Sequence, residues 1–344
     1  MRDLKDLVRP NIWRMHPYSS ARSEFDGWAS IFLDANENPF DRSYNRYPDP
    51  LQRELKARLV ELMRVPEENI FLGNGSDEAI DLLMRAFCEP GKDNIVSISP
   101  SYGMYEVAAE VNDVACVKVP LTEDYALDAD ALLASVGPRT KLIFLCSPNN
   151  PTGNLLDYVA VKRVLDTFEG IVVVDEAYID FAAQESWSLE LAWHPNLVVL
   201  HTLSKAWGGA GVRLGMAFAS KEIIAILNKI KYPYNVSQPA MEKAMELLKD
   251  PVRKLREVSL LIEERERMRE VLSGAPFFYD VYPSDANFLL VRVGDGATAL
   301  YEELLEHNIV VRNRTNVALC EGCLRITVGT PEENDTLLNT LLEL

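Results

Sequence analysis

The chain has 344 residues, 25% of them charged and 48% apolar, with a formal net charge of −17 at pH 7. This is globular composition, long enough for two domains. The acidity disfavours nucleic acid and anionic membranes as partners, so any anionic ligand needs Arg and Lys concentrated locally. The opening "MRDLKDLVRP" lacks the apolar stretch of a signal peptide, no apolar run approaches the roughly 20 residues of a membrane span, and a cytoplasmic location is expected.

Taken in chain order, the first 45 or so residues are rich in Pro, Asn and aromatics and read as an irregular segment packed on a smaller domain. Leucines 51, 55, 59 and 62 predict an amphipathic helix over 51–64. A strand-like "IFLGNG" leads into a helix opened by Ser76. Strands over 94–99, 141–146, 171–175, 197–201 and 215–219 then alternate with helices around 102–111 and 157–168. Continuous apolar β-branched runs between helices imply strands buried on both faces, hence an α/β large domain over 46–235 with a mainly parallel sheet sandwiched by helices. Helices near 237–248, 252–272, 297–307 and 332–342 mix with strands over 287–293 and 324–328, which predicts a smaller α+β domain over 236–344.

Five cysteines are scattered along the chain. Cys88, Cys116 and Cys146 read as small core residues. Cys320 and Cys323 form a lone C-x-x-C with no second ligand pair for zinc, and "CLRITVG" reads as a strand rather than the helix start of a thioredoxin-like motif. No metal is expected, and reduced thiols suit a cytosolic compartment.

Four stretches carry candidate chemistry. In "LHTLSKAWGGAGVRLG" (200–215) Lys205 precedes the glycines, whereas a Walker A loop places its lysine after them, and "GGAGVRLG" fits a dinucleotide fingerprint poorly. A lysine hemmed in by Ser204, Trp207 and a strand end would have a depressed pKa and act as a nucleophile towards carbonyls; otherwise it is a surface loop residue. In "VVVDEAY" Asp175 ends an apolar strand, with Tyr178 three residues on; ligands bind at such strand ends, and helix capping is the plainer reading. "SPNNPTG" holds Asn150 as an amide donor at a strand's C-terminal end. "GNGSDE" opens a helix whose free N–H groups suit a phosphate, provided the acids at 77 and 78 turn away.

With "SPSYGMY" and "CLRITVG", these pieces resemble the fold-type I pyridoxal-phosphate-dependent aminotransferases nearly end to end, and they follow one another along the chain in that family's order. The resemblance implies pyridoxal 5'-phosphate as cofactor. It makes Lys205 the residue that forms the Schiff base and later shuttles the proton, and Asp175 the partner of the pyridinium nitrogen. Tyr178 and Asn150 become hydrogen-bond partners of the ring oxygen, and Tyr102 the ring-stacking residue. The cofactor phosphate is expected on Gly75, Ser76 and Asp77 with Thr202, Ser204 and Arg213, and Tyr47 of "NRYPDP" is expected to reach the neighbouring subunit's phosphate, which implies a homodimer. "LVRPNIWRMHPYSSAR", "LDANENPF", "NRYPDP" and "RAFCEPGKD" most resemble the branch of that family acting on histidinol phosphate, in exchange with glutamate and 2-oxoglutarate. Arg325, Arg312, Tyr18 and Asn36 are then the substrate-binding candidates, with Arg314 competing with Arg312. Alternatives are an aromatic or broad-specificity aminotransferase, or a decarboxylase of a phosphorylated amino acid on the same scaffold.

Overall fold

The computed structural model describes residues 2–18, 29–275 and 278–344. Seven strands form the principal sheet: β1 (Ile70–Asn74), β2 (Asn94–Ser99), β3 (Ala115–Pro120), β4 (Thr140–Cys146), β5 (Ile171–Asp175), β6 (Leu197–Thr202) and β7 (Leu214–Ala219). Their order is β1-β7-β6-β5-β4-β2-β3. The run from β3 to β6 is parallel throughout, and only β7 runs antiparallel to both its neighbours. The central strands β5, β6 and β7 are buried at every position, as continuous apolar runs require. The sheet is therefore mainly parallel, and the C-terminal ends of β4, β5 and β6 share one edge.

Helices cover both faces. On one lie Ser76–Phe87, Met104–Val111 and Lys221–Ile230; on the other, Arg53–Met63, Tyr158–Thr167 and Gln238–Leu247. Helix starts follow their capping residues: Asp157, Ser220, Ser237 and Asp250 each accept a hydrogen bond from a first-turn N–H. Edge strand β3 and the six-residue helix Ala129–Ala134 have no counterpart in the sequence reading. A half-exposed "ACVKVP" and a helix under two turns give too little periodicity to read.

Two boundaries differ from expectation. Helix Gln238–Leu247 belongs to the large body, because Val236, Met241, Ala244 and Leu248 join the core beneath helix Arg53–Met63. The smaller unit thus begins near helix Pro251–Ser273. The start of the N-terminal segment packs on the large body: Leu7 and Val8 are buried against helix Ser76–Phe87, and Arg9 N–H donates to Ala86 O at 2.9 Å. It also forms two short helices, Leu4–Leu7 and Pro10–Arg14. Part of that expected segment, 19–28, lies outside the described residues.

The smaller unit has a four-stranded antiparallel sheet in the order β10-β11-β9-β8: β8 (Asp280–Val281), β9 (Phe288–Arg292), β10 (Arg312–Asn313) and β11 (Cys323–Thr327). Its core joins Leu289, Val291 and Leu324 to Met268 and Leu338. Cys320 and Cys323 are buried and unbridged, and Cys323 opens β11. Among the described residues no helix is long and apolar enough to cross a membrane.

Candidate active site

A cleft opens where β4, β5 and β6 end, walled by the start of helix Ser76–Phe87 and by the loop that carries Lys205. Its floor depends on close backbone approach. Gly75, at φ +72°, donates its N–H to Arg213 O at 2.8 Å, and a Cβ there would lie 2.7 Å from Arg213 Nη2. Arg213 itself takes the left-handed conformation, φ 57°, which turns its chain back onto the helix start. Behind it, a Cβ on Gly215 would fall 2.0 Å from Ser76 N and 2.2 Å from Gly75 C. Thr202 Oγ1 donates to Ser204 Oγ at 2.9 Å and accepts from Ser204 N–H at 3.0 Å. Helix N–H groups, two hydroxyls and a guanidinium thus converge, a donor set suited to a phosphate.

The two acids of this loop behave differently. Glu78 turns away, accepting from Asn74 N–H at 2.6 Å and from Asn235 Nδ2 at 3.1 Å. Asp77 stays at the cleft, accepting from Tyr102 Oη at 3.1 Å and facing Arg213 Nη2 at 3.5 Å. Asn235 also donates to Leu72 O at 2.9 Å, while its Oδ1 accepts from Lys231 Nζ at 3.1 Å. The same ammonium donates to Pro50 O at 2.8 Å, Pro233 O at 3.0 Å and Tyr232 O at 3.2 Å.

Opposite the phosphate-type cradle, Asp175 is 3% exposed. Burial raises its carboxyl pKa, against the lowering effect of two donors: Tyr105 Oη to Oδ2 at 2.7 Å, and Ala177 N–H to Oδ1 at 3.1 Å. Lys205 is half-buried with Nζ 5.4 Å from the centroid of the Tyr178 ring. Burial, then the positive charge of Arg325, lowers its pKa, so the amine is nearer its nucleophilic form. Burial raises the Tyr178 pKa, which keeps its phenol a donor. Asn150 Nδ2 lies 3.5 Å from Tyr178 Oη.

One arginine of the second sheet, Arg325, reaches this edge, and Arg312 and Arg314 stand beside it without lining the cleft. Arg325 on β11 donates from Nη1 to Asn150 Oδ1 at 2.5 Å, and its guanidinium carbon sits 5.2 Å from the Phe288 ring centroid. Arg312 is its cross-strand partner on β10, so two like charges stand directly opposite one another. Arg314 is half-buried, its pKa brought down to about 10 by burial and then by Arg325 and Arg312. The Nε atoms of Arg314 and Arg325 are buried without a partner, and among the described residues none of the three arginines meets a carboxylate within 4.0 Å. Three cations gathered without counter-charge cost stability and suit an anionic ligand.

Gly75, Ser76, Asp77, Tyr102, Asn150, Asp175, Tyr178, Thr202, Ser204, Lys205 and Arg213 all line the one cleft, with Arg325 joined to it through Asn150. Tyr18, Asn36 and Tyr47 do not line it. Tyr18 is 72% exposed; Asn36 and Tyr47 share a separate shallow hollow, where Tyr47 stacks on Tyr234 at 4.5 Å. Two features escaped the sequence reading. Tyr105 stands in the same "SPSYGMY" stretch as Tyr102, in the first turn of the helix that follows it. The other is a buried network behind Asp175: His201 Nε2 lies 3.5 Å from Asp180 Oδ2, and Asp180 also bonds Lys254. Its members come from three distant segments and leave no local pattern.

Residues 30–341 match the family described as aminotransferase class I and II. A histidinol-phosphate aminotransferase of Parabacteroides distasonis is 64% identical over 341 residues, 99% of each chain. Among solved structures, the histidinol-phosphate aminotransferase of Clostridium acetobutylicum aligns with TM-score 0.80 and 27% identity, covering 87% of this chain and 90% of that one. The Sinorhizobium meliloti histidinol-phosphate aminotransferase, in complex with pyridoxal-5'-phosphate, aligns with TM-score 0.79 and 26% identity, covering 87% and 82%.

Proposed function

Because the chain belongs to the class I and II aminotransferase family, we propose that it is a pyridoxal-phosphate-dependent transaminase exchanging an amino group between glutamate/2-oxoglutarate and histidinol phosphate/imidazole-acetol phosphate. The relatives named for that reaction, at 64% and 54% identity over nearly the whole chain, support this substrate pair, and the reaction belongs to histidine biosynthesis in the cytoplasm. One observation carries the reading: a half-buried lysine, a buried carboxylate and a phosphate-type cradle wall a single cleft.

The residues fit the cofactor. Arg213, Thr202, Ser204 and the N–H groups of Gly75, Ser76 and Asp77 would hold its phosphate, in a cradle that a Cβ at Gly75 would fill. Asp175 would face the ring nitrogen, Asn150 and Tyr178 the ring oxygen, and Tyr102 the ring plane. When bound, pyridoxal phosphate supplies an electron sink for the carbanion left as the substrate loses its Cα proton. Lys205 Nζ, its pKa lowered by burial, takes up that proton and returns it. Tyr178, its proton retained by burial, holds the ring oxygen as donor. Arg325 and Arg314 bind the substrate's anionic groups; both substrates carry such groups, so the same cations serve each half-reaction in turn. Arg314 is favoured over Arg312 for this part, because it is half-buried with an unpartnered Nε whereas Arg312 is exposed.

A homodimer completes the reading. Ile31, Leu33 and Phe40 are 74%, 87% and 71% exposed in the segment before Tyr47, and a second copy would cover them. Tyr47 then serves the neighbouring subunit's phosphate, and Tyr18 and Asn36 reach substrate by the same route.

The test is spectroscopic. A visible absorbance band that borohydride bleaches should appear in the wild type and be missing in Lys205→Ala. Single half-reactions should change that spectrum with glutamate and with histidinol phosphate. A response to phenylalanine or tyrosine alone would overturn the substrate assignment, and a persisting band in Lys205→Ala would overturn the role of the lysine.

A further inference from the structure

Asp175 owes its geometry to a residue outside the roles set out so far. Its two oxygens are fixed separately: Oδ1 by the N–H of Ala177 at 3.1 Å, Oδ2 by the phenol of Tyr105 at 2.7 Å. Tyr105 is 1% exposed and has little freedom. It stacks on Phe144 at 4.8 Å and 24°, and meets Tyr102 edge-on at 5.6 Å and 85°. The phenol is therefore a fixed donor, and a hydrogen bond to an ionised carboxylate is stronger than one to a neutral acceptor. Burial opposes ionisation of Asp175, and the backbone N–H of Ala177 is the only other donor bonded to its oxygens among the described residues.

We propose that Tyr105 is a positioning residue for the carboxylate that pairs with the cofactor's ring nitrogen, holding Asp175 charged and aimed, and that it contributes to cofactor affinity through that nitrogen alone. This rests on the pyridoxal-phosphate reading above. Tyr105 need not touch the cofactor. It acts by stabilising the charged form of Asp175, the form that accepts from a protonated ring nitrogen. With the phenol removed, Asp175 would keep one donor, and its Oδ2 would be buried without one.

The experiment measures binding rather than turnover. Dissociation constants are determined by fluorescence titration for pyridoxamine phosphate, which binds without a bond to Lys205, and for its analogue with a ring CH in place of the nitrogen. Wild type, Tyr105→Phe, Asp175→Asn and the double variant are compared. Wild type should prefer pyridoxamine phosphate. Tyr105→Phe, which keeps the ring packing, should weaken pyridoxamine phosphate about tenfold and leave the analogue within about twofold. The phenylalanine should have no further effect in the Asp175→Asn background. Equal weakening of both ligands, or of neither, overturns the proposal, because Tyr105 would then serve packing alone. If wild type itself fails to prefer the nitrogen-containing ligand, the cofactor reading of Asp175 fails first. The Asp175→Asn comparison separates the two outcomes and does not depend on how well Tyr105→Phe folds.

Discussion

Gly215→Ala tests the close backbone approach beneath the cleft. Gly215 pairs with Gly73 of β1 and Thr202 of β6, and its Cβ would stand 2.0 Å from Ser76 N and 2.2 Å from Gly75 C. Both are backbone atoms, so no side chain can swing aside. Close-packed interiors tolerate no such overlap, and the helix start must retreat by about 1 Å. β7 lies inside the sheet and β1 at its edge, so β1 and the Gly75–Ser76 turn should move together, away from Thr202, Ser204 and Arg213. Overpacking costs about 1–3 kcal/mol in stability. Each charge-assisted hydrogen bond lost to a bound phosphate costs about 1.5–3 kcal/mol more, which is at least tenfold in cofactor affinity. Gly211 is the internal control: it lies four residues earlier in the same motif, yet nothing lies within 4 Å of its added Cβ. Fluorescence titration with pyridoxamine phosphate should show a dissociation constant raised at least about tenfold for Gly215→Ala and near wild type for Gly211→Ala. Equal losses in the two variants, or an unchanged constant for Gly215→Ala, would refute the argument.

Arg314→Gln should raise KM for histidinol phosphate about 10–100-fold, the value of a charged hydrogen bond. Arg312→Gln should raise it far less, and steady-state kinetics on both variants decides between the two cations. Behind the site, burial works against the charge on Asp180, but His201 and Lys254 hold its carboxyl well below the usual range. Burial likewise opposes the charge on His201, and Asp180 outweighs it, raising the imidazole pKa. The carboxylate's contribution to stability is present above its unfolded value and fades as pH falls through the folded one. The imidazolium's contribution is whole below its unfolded value and is lost as pH rises through the raised folded one. The melting-temperature gap between wild type and Asp180→Asn should therefore be widest between about pH 4 and 6.5, on the order of 5 °C. It should narrow on acidification and, since Lys254 stays charged, only partly on the alkaline side. A gap that does not change with pH would contradict the coupling.

The lining of the cleft is legible where strand ends and chain direction coincide. Asp175, Thr202 and Asn150 sit at or just beyond the ends of strands whose apolar runs announce themselves, so position along the sequence already gave position along the sheet edge. Residues that act across elements were harder. His201 is one more strand residue until Asp180 meets it from a 3-10 turn and Lys254 joins Asp180 from a distant helix. Arg312 and Arg314 differ in burial, which two cations spaced by one residue do not reveal. At the N-terminus the apolar positions Leu7 and Val8 are too few to show in sequence which core they enter. The glycines of the "KAWGGAGVRLG" stretch look alike in sequence and differ in space. Gly208 has a positive φ, Gly215 marks a backbone contact, and Gly211 faces open space.

Lys231 has a consequence for how the cleft is kept in shape. Three main-chain oxygens and one amide oxygen surround its Nζ, a coordination shell that a dissolved monovalent ion could otherwise occupy. Through Asn235 and Glu78 that shell is continuous with Asn74, at the lip of the phosphate-type turn. The cation here is tethered to the chain. Its effective concentration is fixed by a covalent bond rather than by the surrounding salt, so this corner of the protein should keep its form whichever alkali metal the medium supplies.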